Sequence, residues 1–143
     1  MNFTTVDVDR NLEAALAAFR RLPRVTWQVS LGGALARGDA RALGHVWANL
    51  LNNAVQAMDY QGTLKVVTRA EGNQALVQID FGPGIPLEIQ GKLFDPSYSK
   101  RNDGDGIGLG LDLCLKIVTR HQGTLDVESR PGYTCFSVRL PAA

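Results

Sequence analysis

Three stretches of this chain carry residues whose types and spacing suit chemistry. The first, His45 to Ala57, reads HVWANLLNNAVQA. At about 100° per residue, His45, Asn49, Asn53 and Gln56 fall on one side of a helix, within roughly 80° of one another. Lys and Glu, the usual fillers of an exposed helix, are absent here, and Asn, a poor interior helix former, stands at 49, 52 and 53. An amide oxygen is a ligand for a hard divalent cation that keeps the rest of its shell as water and phosphate oxygens. A solvated polar face is the competing reading. The second stretch is the turn Asp80-Phe81-Gly82-Pro83-Gly84. A carboxylate at a strand end accepts a hydrogen bond from an exocyclic amine, and Gly82 and Gly84 permit close ligand approach. Such a turn is also ordinary between a strand and a helix. The third is the loop GDGIGLG, Gly104 to Gly110. Gly106, Gly108 and Gly110 lead into an apolar helical pattern, and backbone N–H groups at a helix start bind anions such as phosphate. No Lys-Ser/Thr follows, and the spacing is G-x-G-x-G, so neither the P-loop nor the dinucleotide fingerprint fits.

These residues need elements to position them. Apolar spacing predicts a helix from Asn11 to Arg21, ended by Pro23. Val25 to Leu31 alternates as a strand, and Gly32-Gly33 breaks it. Asp39 is the expected N-cap of a helix running to about Met58, with Leu43, Val46, Trp47, Leu50, Leu51, Ala54, Val55 and Met58 on its apolar face. Gln61-Gly62 reads as a turn. Thr63 to Arg69 and Ala75 to Asp80 read as strands joined at Glu71-Gly72-Asn73. Pro86 to Leu93 predicts a short helix, and Ile107 to His121 a longer one. Thr124 to Glu128 and Thr134 to Leu140 close the chain as strands around Arg130-Pro131-Gly132. Helices interleave with strands, which predicts an α/β two-layer sandwich: a mixed sheet with helices on one face.

The 143 residues fit one domain, 1–143, with 45% hydrophobic and 20% charged residues and a net charge of +1. No basic stripe points to nucleic acid, and no apolar run reaches the roughly 18 residues of a membrane span. Cys114 and Cys135 have no metal-ligand neighbours at close spacing and read as buried reduced thiols of a cytoplasmic domain.

Taken in order, the three stretches resemble the N, G1 and G2 boxes of the ATP-binding domain of sensor histidine kinases. Those kinases belong to the gyrase, MutL and histidine-kinase ATPase superfamily, whose pocket is the Bergerat fold. The resemblance covers nearly the whole chain. It implies ATP and Mg²⁺ as cofactors, with Asn53 as the magnesium ligand. It gives Asn49 the position where gyrase-type members carry a Glu that activates water. An amide cannot accept that proton, so slow hydrolysis is expected. Gln56 stands where many such kinases have Lys. The G1 resemblance implies that Asp80 reads adenine N6, with Gly82, Gly84 and Ile85 beside the ring. Lys92 to Lys100 resembles the F box of a lid, with Phe94 as its aromatic and Lys100 as a candidate cation for the γ-phosphate. Gly106, Ile107, Gly108, Leu109 and Gly110 would line the phosphates.

Neither His45 nor His121 has the acidic neighbour and long preceding helix of a phosphoacceptor. The resemblance therefore implies a catalytic domain from a longer sensor, cytoplasmic even where the parent is membrane-tethered. Its implied partners are a histidine-bearing dimerisation hairpin and a downstream response regulator. The NAVQAM and GTL segments look most like the soluble-type or nitrogen-regulator-like kinases. An anti-sigma-factor-like serine kinase and a non-catalytic nucleotide-binding module remain open on the residues alone.

Overall fold

A computed structural model describes residues 1–82, 111–130 and 132–143. In chain order the elements are β1 (Thr4–Asp7), α1 (Val8–Leu16), β2 (Val25–Leu31), β3 (Leu35–Gly38), α2 (Ala40–Ala57), β4 (Gly62–Glu71), β5 (Gln74–Phe81), α3 (Asp112–Arg120), β6 (Thr124–Arg130) and β7 (Tyr133–Pro141). Five strands form one sheet in the order β2-β4-β5-β7-β6. β2 runs parallel to β4, and the other neighbours are antiparallel, so the sheet is mixed as expected. A parallel pair needs a long crossover, and the segment containing α2 supplies it.

Alternation along the strands divides the sheet into two faces. Val66, Val77, Ile79, Phe81, Phe136 and Val138 join the core with Leu12 and Leu16 of α1, Leu43, Trp47 and Leu50 of α2, and Val118 of α3. The intervening residues Lys65, Arg69, Gln78, Ser137, Arg139 and Asp126 form a polar outer face. Apolar residues also occur on this face: Leu76 is buried between its register partners Arg69 and Arg139, Cys135 is buried, and Val67 is half-buried.

Two details depart from the pattern read in the sequence. The first helix starts at Val8 and stops at Leu16, ahead of the predicted Asn11–Arg21 span, because Asp7 caps it and accepts the Arg10 N–H at 3.3 Å. Asn11 is consequently inside the helix, where it ties α1 to α2. Its Oδ1 accepts the Trp47 indole N–H at 2.6 Å, and its amide donates to Ala40 O at 3.0 Å. The second departure is a separate two-stranded sheet, β1 against β3, whose strands are four residues each. The turn between β4 and β5 narrows to Gly72-Asn73, with Gly72 at φ 62°, the left-handed conformation a two-residue hairpin needs. The predicted helix Pro86 to Leu93 lies outside the described residues.

Candidate nucleotide site

α2 is the element that carries most of the predicted polar residues. Asp39 caps it as expected, accepting the Ala42 N–H at 2.9 Å. Its carboxyl is held below its ordinary value by that bond first and then by the Asn2 N–H. Leu43, Val46, Trp47, Leu50, Leu51, Ala54 and Val55 are all fully buried. The polar side predicted for this helix does not behave as one face. His45 and Asn49 are exposed and Gln56 is half-buried, whereas Asn53 is 3% exposed.

Asn53 is the unusual one. Its Nδ2 is buried and has no hydrogen-bond partner. An unsatisfied buried amide costs about 1–3 kcal/mol, and such groups mark places where something other than stability set the choice of residue. Rotating the amide by 180° exchanges its nitrogen and oxygen at little cost in shape. The same position therefore offers an oxygen to a cation. The residue fits the magnesium role that the sequence resemblance implies.

Asn49, one helical turn earlier, meets α3. Burial pushes the Cys114 thiol up to about 11, and the Asn49 side chain, a hydrogen-bonding neighbour, pulls against that rise. Cys114 was not singled out by any motif. Its signal is its place: α3 begins directly after the glycine loop, and its first turn packs on the helix that bears Asn49 and Asn53.

The predicted adenine turn is positioned differently. Asp80 pairs in register with Lys65 of β4 and Cys135 of β7. It lies between Ile79 and Phe81, which face the helices, and so projects from the outer face. The structure places Asn49, Asn53 and Gln56 on α2, and it leaves the Asp80 Oδ1, like the Asn53 Nδ2, buried without a hydrogen-bond partner. Gly82 closes the strand. A Cβ there would lie 3.1 Å from Gly132 O, so close approach of the two chains calls for glycine. Gly84, Ile85, Phe94, Lys100, Gly106, Ile107, Gly108, Leu109 and Gly110 lie outside the described residues.

A histidine outside the predicted site organises the far end of α2. His121 is 2% exposed. Its Nε2 accepts the Asp39 N–H at 3.0 Å, and its Nδ1 donates to Ile117 O at 2.8 Å, which assigns the neutral Nδ1-H tautomer. Phe3 stacks on the ring at 4.7 Å. One imidazole thus joins the end of α3, the cap of α2 and the N-terminal segment.

Comparison with known proteins agrees with this arrangement. The chain belongs to the family described as histidine kinase-, DNA gyrase B-, and HSP90-like ATPase, whose model matches residues 38–143. Within it, the chain is of the ATP-binding catalytic type found in two-component sensor histidine kinases. It is 41% identical over 120 residues to the sensory histidine kinase/phosphatase NtrB of Rhodobacter capsulatus, covering 74% of this chain and 33% of that protein. Against the signal transduction histidine-protein kinase AtoS of Escherichia coli it is 40% identical, covering 72% of this chain and 17% of the relative. The chain thus spans a third or less of either relative. Among solved structures, the catalytic domain of histidine kinase ThkA in a nucleotide-free form superposes with a TM-score of 0.87 at 25% identity, covering 99% of this chain and 97% of that one. The mycobacterial sensor histidine kinase MprB superposes at 0.80, also at 25% identity, covering 99% and 98%. Among the described residues no helix is long and apolar enough to cross a membrane.

Proposed function

We propose that this chain presents Mg-ATP for phosphoryl transfer to a histidine carried on a separate helical hairpin, and that a response regulator then takes the phosphoryl group. The carrying observation is Asn53, an amide with an orphaned Nδ2 and the one polar side chain among the buried residues of α2. In this reading Asn53 supplies the protein's oxygen to Mg²⁺, which when bound neutralises phosphate charge. Asn49 and Gln56 orient phosphate oxygens from the same helix. Gly106, Ile107, Gly108, Leu109 and Gly110 offer backbone N–H groups to the phosphates ahead of α3. Asp80 reads the adenine amine, Gly82, Gly84, Ile85 and Phe94 line the remainder, and Lys100 approaches the γ-phosphate.

Phosphoryl transfer asks mainly for positioning and charge stabilisation. Asn49 fits that demand, because an amide orients a group without accepting its proton. Water is thus left unactivated and the phosphoryl group is kept for the histidine. We place the domain in the cytoplasm, where ATP and the response regulator meet it. The test is calorimetric titration of ATP with and without Mg²⁺ on the wild type and Asn53→Ala. The proposal expects the magnesium-dependent gain in affinity to vanish in the variant. An unchanged gain would remove Asn53 from the site.

A further inference from the structure

Asp80 and Cys135 are register partners on β5 and β7. Side chains directly opposite on paired strands share a face, with Cβ atoms about 4.5–5.5 Å apart. Cys135 is 4% exposed, and the Asp80 Oδ1 is buried without a hydrogen-bond partner. Lys65, the partner of Asp80 on β4, is exposed. One oxygen of the carboxylate is thus left open beside a buried thiol. A thiol carries one proton, and the groups around it decide where that proton goes. Ser137, two residues along β7, has its Oγ 3.6 Å from the Cys135 Sγ. That Oγ already accepts the Gln78 Nε2–H at 3.5 Å, which frees the serine hydrogen to point at sulfur. The Phe136 carbonyl oxygen lies 3.7 Å from Sγ and is a neutral acceptor. A carboxylate is the stronger one. Burial first, and then hydrogen bonding to Asp80, pushes the Cys135 thiol up to about 11, while Ser137 pulls the other way. Those are the directions for a thiol that donates to Asp80 and accepts from Ser137. Because Oδ1 has no partner, the bond from the thiol falls to the other oxygen.

We propose that Cys135 is a positioning residue for base recognition, its thiol holding one oxygen of Asp80 so that Oδ1 stays turned to the exocyclic amine of adenine. The inference rests on the reading that Asp80 reads that amine. Gln78, Ser137 and Cys135 form a line of donors that ends at Asp80, and each fixes the next. A buried carboxylate oxygen without a partner is costly, and a ligand amine satisfies it. Without the thiol the carboxylate is free to rotate, and Oδ1 loses its direction. Cys135 itself touches no part of the base.

Calorimetric titration of Mg-ATP and of Mg-purine riboside triphosphate, which lacks the exocyclic amine, against the wild type, Cys135→Ala and Cys135→Ser tests this, with circular dichroism to check folding. The wild type should favour ATP by about tenfold or more, the worth of a hydrogen bond to a charged group. Cys135→Ala should cut that preference by at least about threefold, with affinity for the amine-free nucleotide held within about twofold. Cys135→Ser, whose hydroxyl also donates, should keep the wild-type preference. If Cys135→Ala does not fold, Cys135→Val fills the space without a donor and is read in the same way. An unchanged preference in the donor-free variant, a serine variant that loses as much as alanine, or a parallel loss for both nucleotides overturns the inference and leaves Asp80 its role. A wild type that binds ATP without preferring it overturns the inference together with the Asp80 reading. One that binds neither nucleotide overturns the nucleotide reading as well.

Discussion

Asn53 shows stability and function pulling apart in one side chain. Its Nδ2 is buried without a partner, so replacing it by Ala removes an unsatisfied polar group at the cost of a small loss of packing. Asn53→Ala should therefore unfold at a temperature equal to or above that of the wild type in the absence of nucleotide, as followed by thermal circular dichroism, while losing the magnesium effect. A fall of several degrees would mean that the amide is satisfied and structural. Cys114 allows a prediction about pH. Its folded pKa is raised from 9.0 to about 11, chiefly by burial. The unfolded chain then releases the proton first, so the contribution is fully present below pH 9 and is lost as pH rises from 9.0 toward 11. A shift of that size is on the order of 2–3 kcal/mol. Urea denaturation between pH 8 and 11, taken roughly as the span of this titration, should show a flatter loss of stability in Cys114→Ala than in the wild type. Parallel losses would place the alkaline sensitivity elsewhere.

At the scale of elements, the clearest test is the junction of α2, α3 and the N-terminal segment. A Cβ on Gly38 would stand 2.7 Å from His121 Cδ2 and 2.9 Å from Nε2. Gly38→Ala and His121→Ala should each destabilise the fold by about 1–3 kcal/mol, through clash and through the lost buried hydrogen bonds respectively. The double variant should cost less than the sum, because the alanine at 121 clears the space. Additive costs in urea denaturation would mean that the two residues act independently. Most of these elements were legible in the sequence. β2, α2, β4, β5, β6 and β7 carry strong period-2 or period-3.6 patterns, and Asp39 announces its helix. β1 and β3 were missed because each is four residues long and the pair is closed by residues some thirty positions apart, Thr4 with Gly38. Apolar spacing alone starts α1 three residues late, because the cap at Asp7 lies ahead of the periodic run. The direction of Asp80 was readable in principle. Val77, Ile79 and Phe81 form an alternating apolar set, and a residue between two of them cannot share their face.

Among the described residues, the mixed sheet and three helices build one covered face and one polar face, and α2 buries Asn53 on the covered one. Such an architecture binds and presents a nucleotide, and the account supplies the phosphoacceptor from another segment or another chain. His121 is buried and engaged through both ring nitrogens, so it is not placed to receive a phosphoryl group. The most direct test is incubation with γ-labelled ATP and Mg²⁺, with and without an added histidine-bearing helical hairpin. The account predicts acid-labile label on the hairpin histidine, none on this chain, and slow release of free phosphate when the chain is alone. Rapid phosphate release by the isolated chain, label on a serine of the partner, or label on His45 or His121 would contradict it.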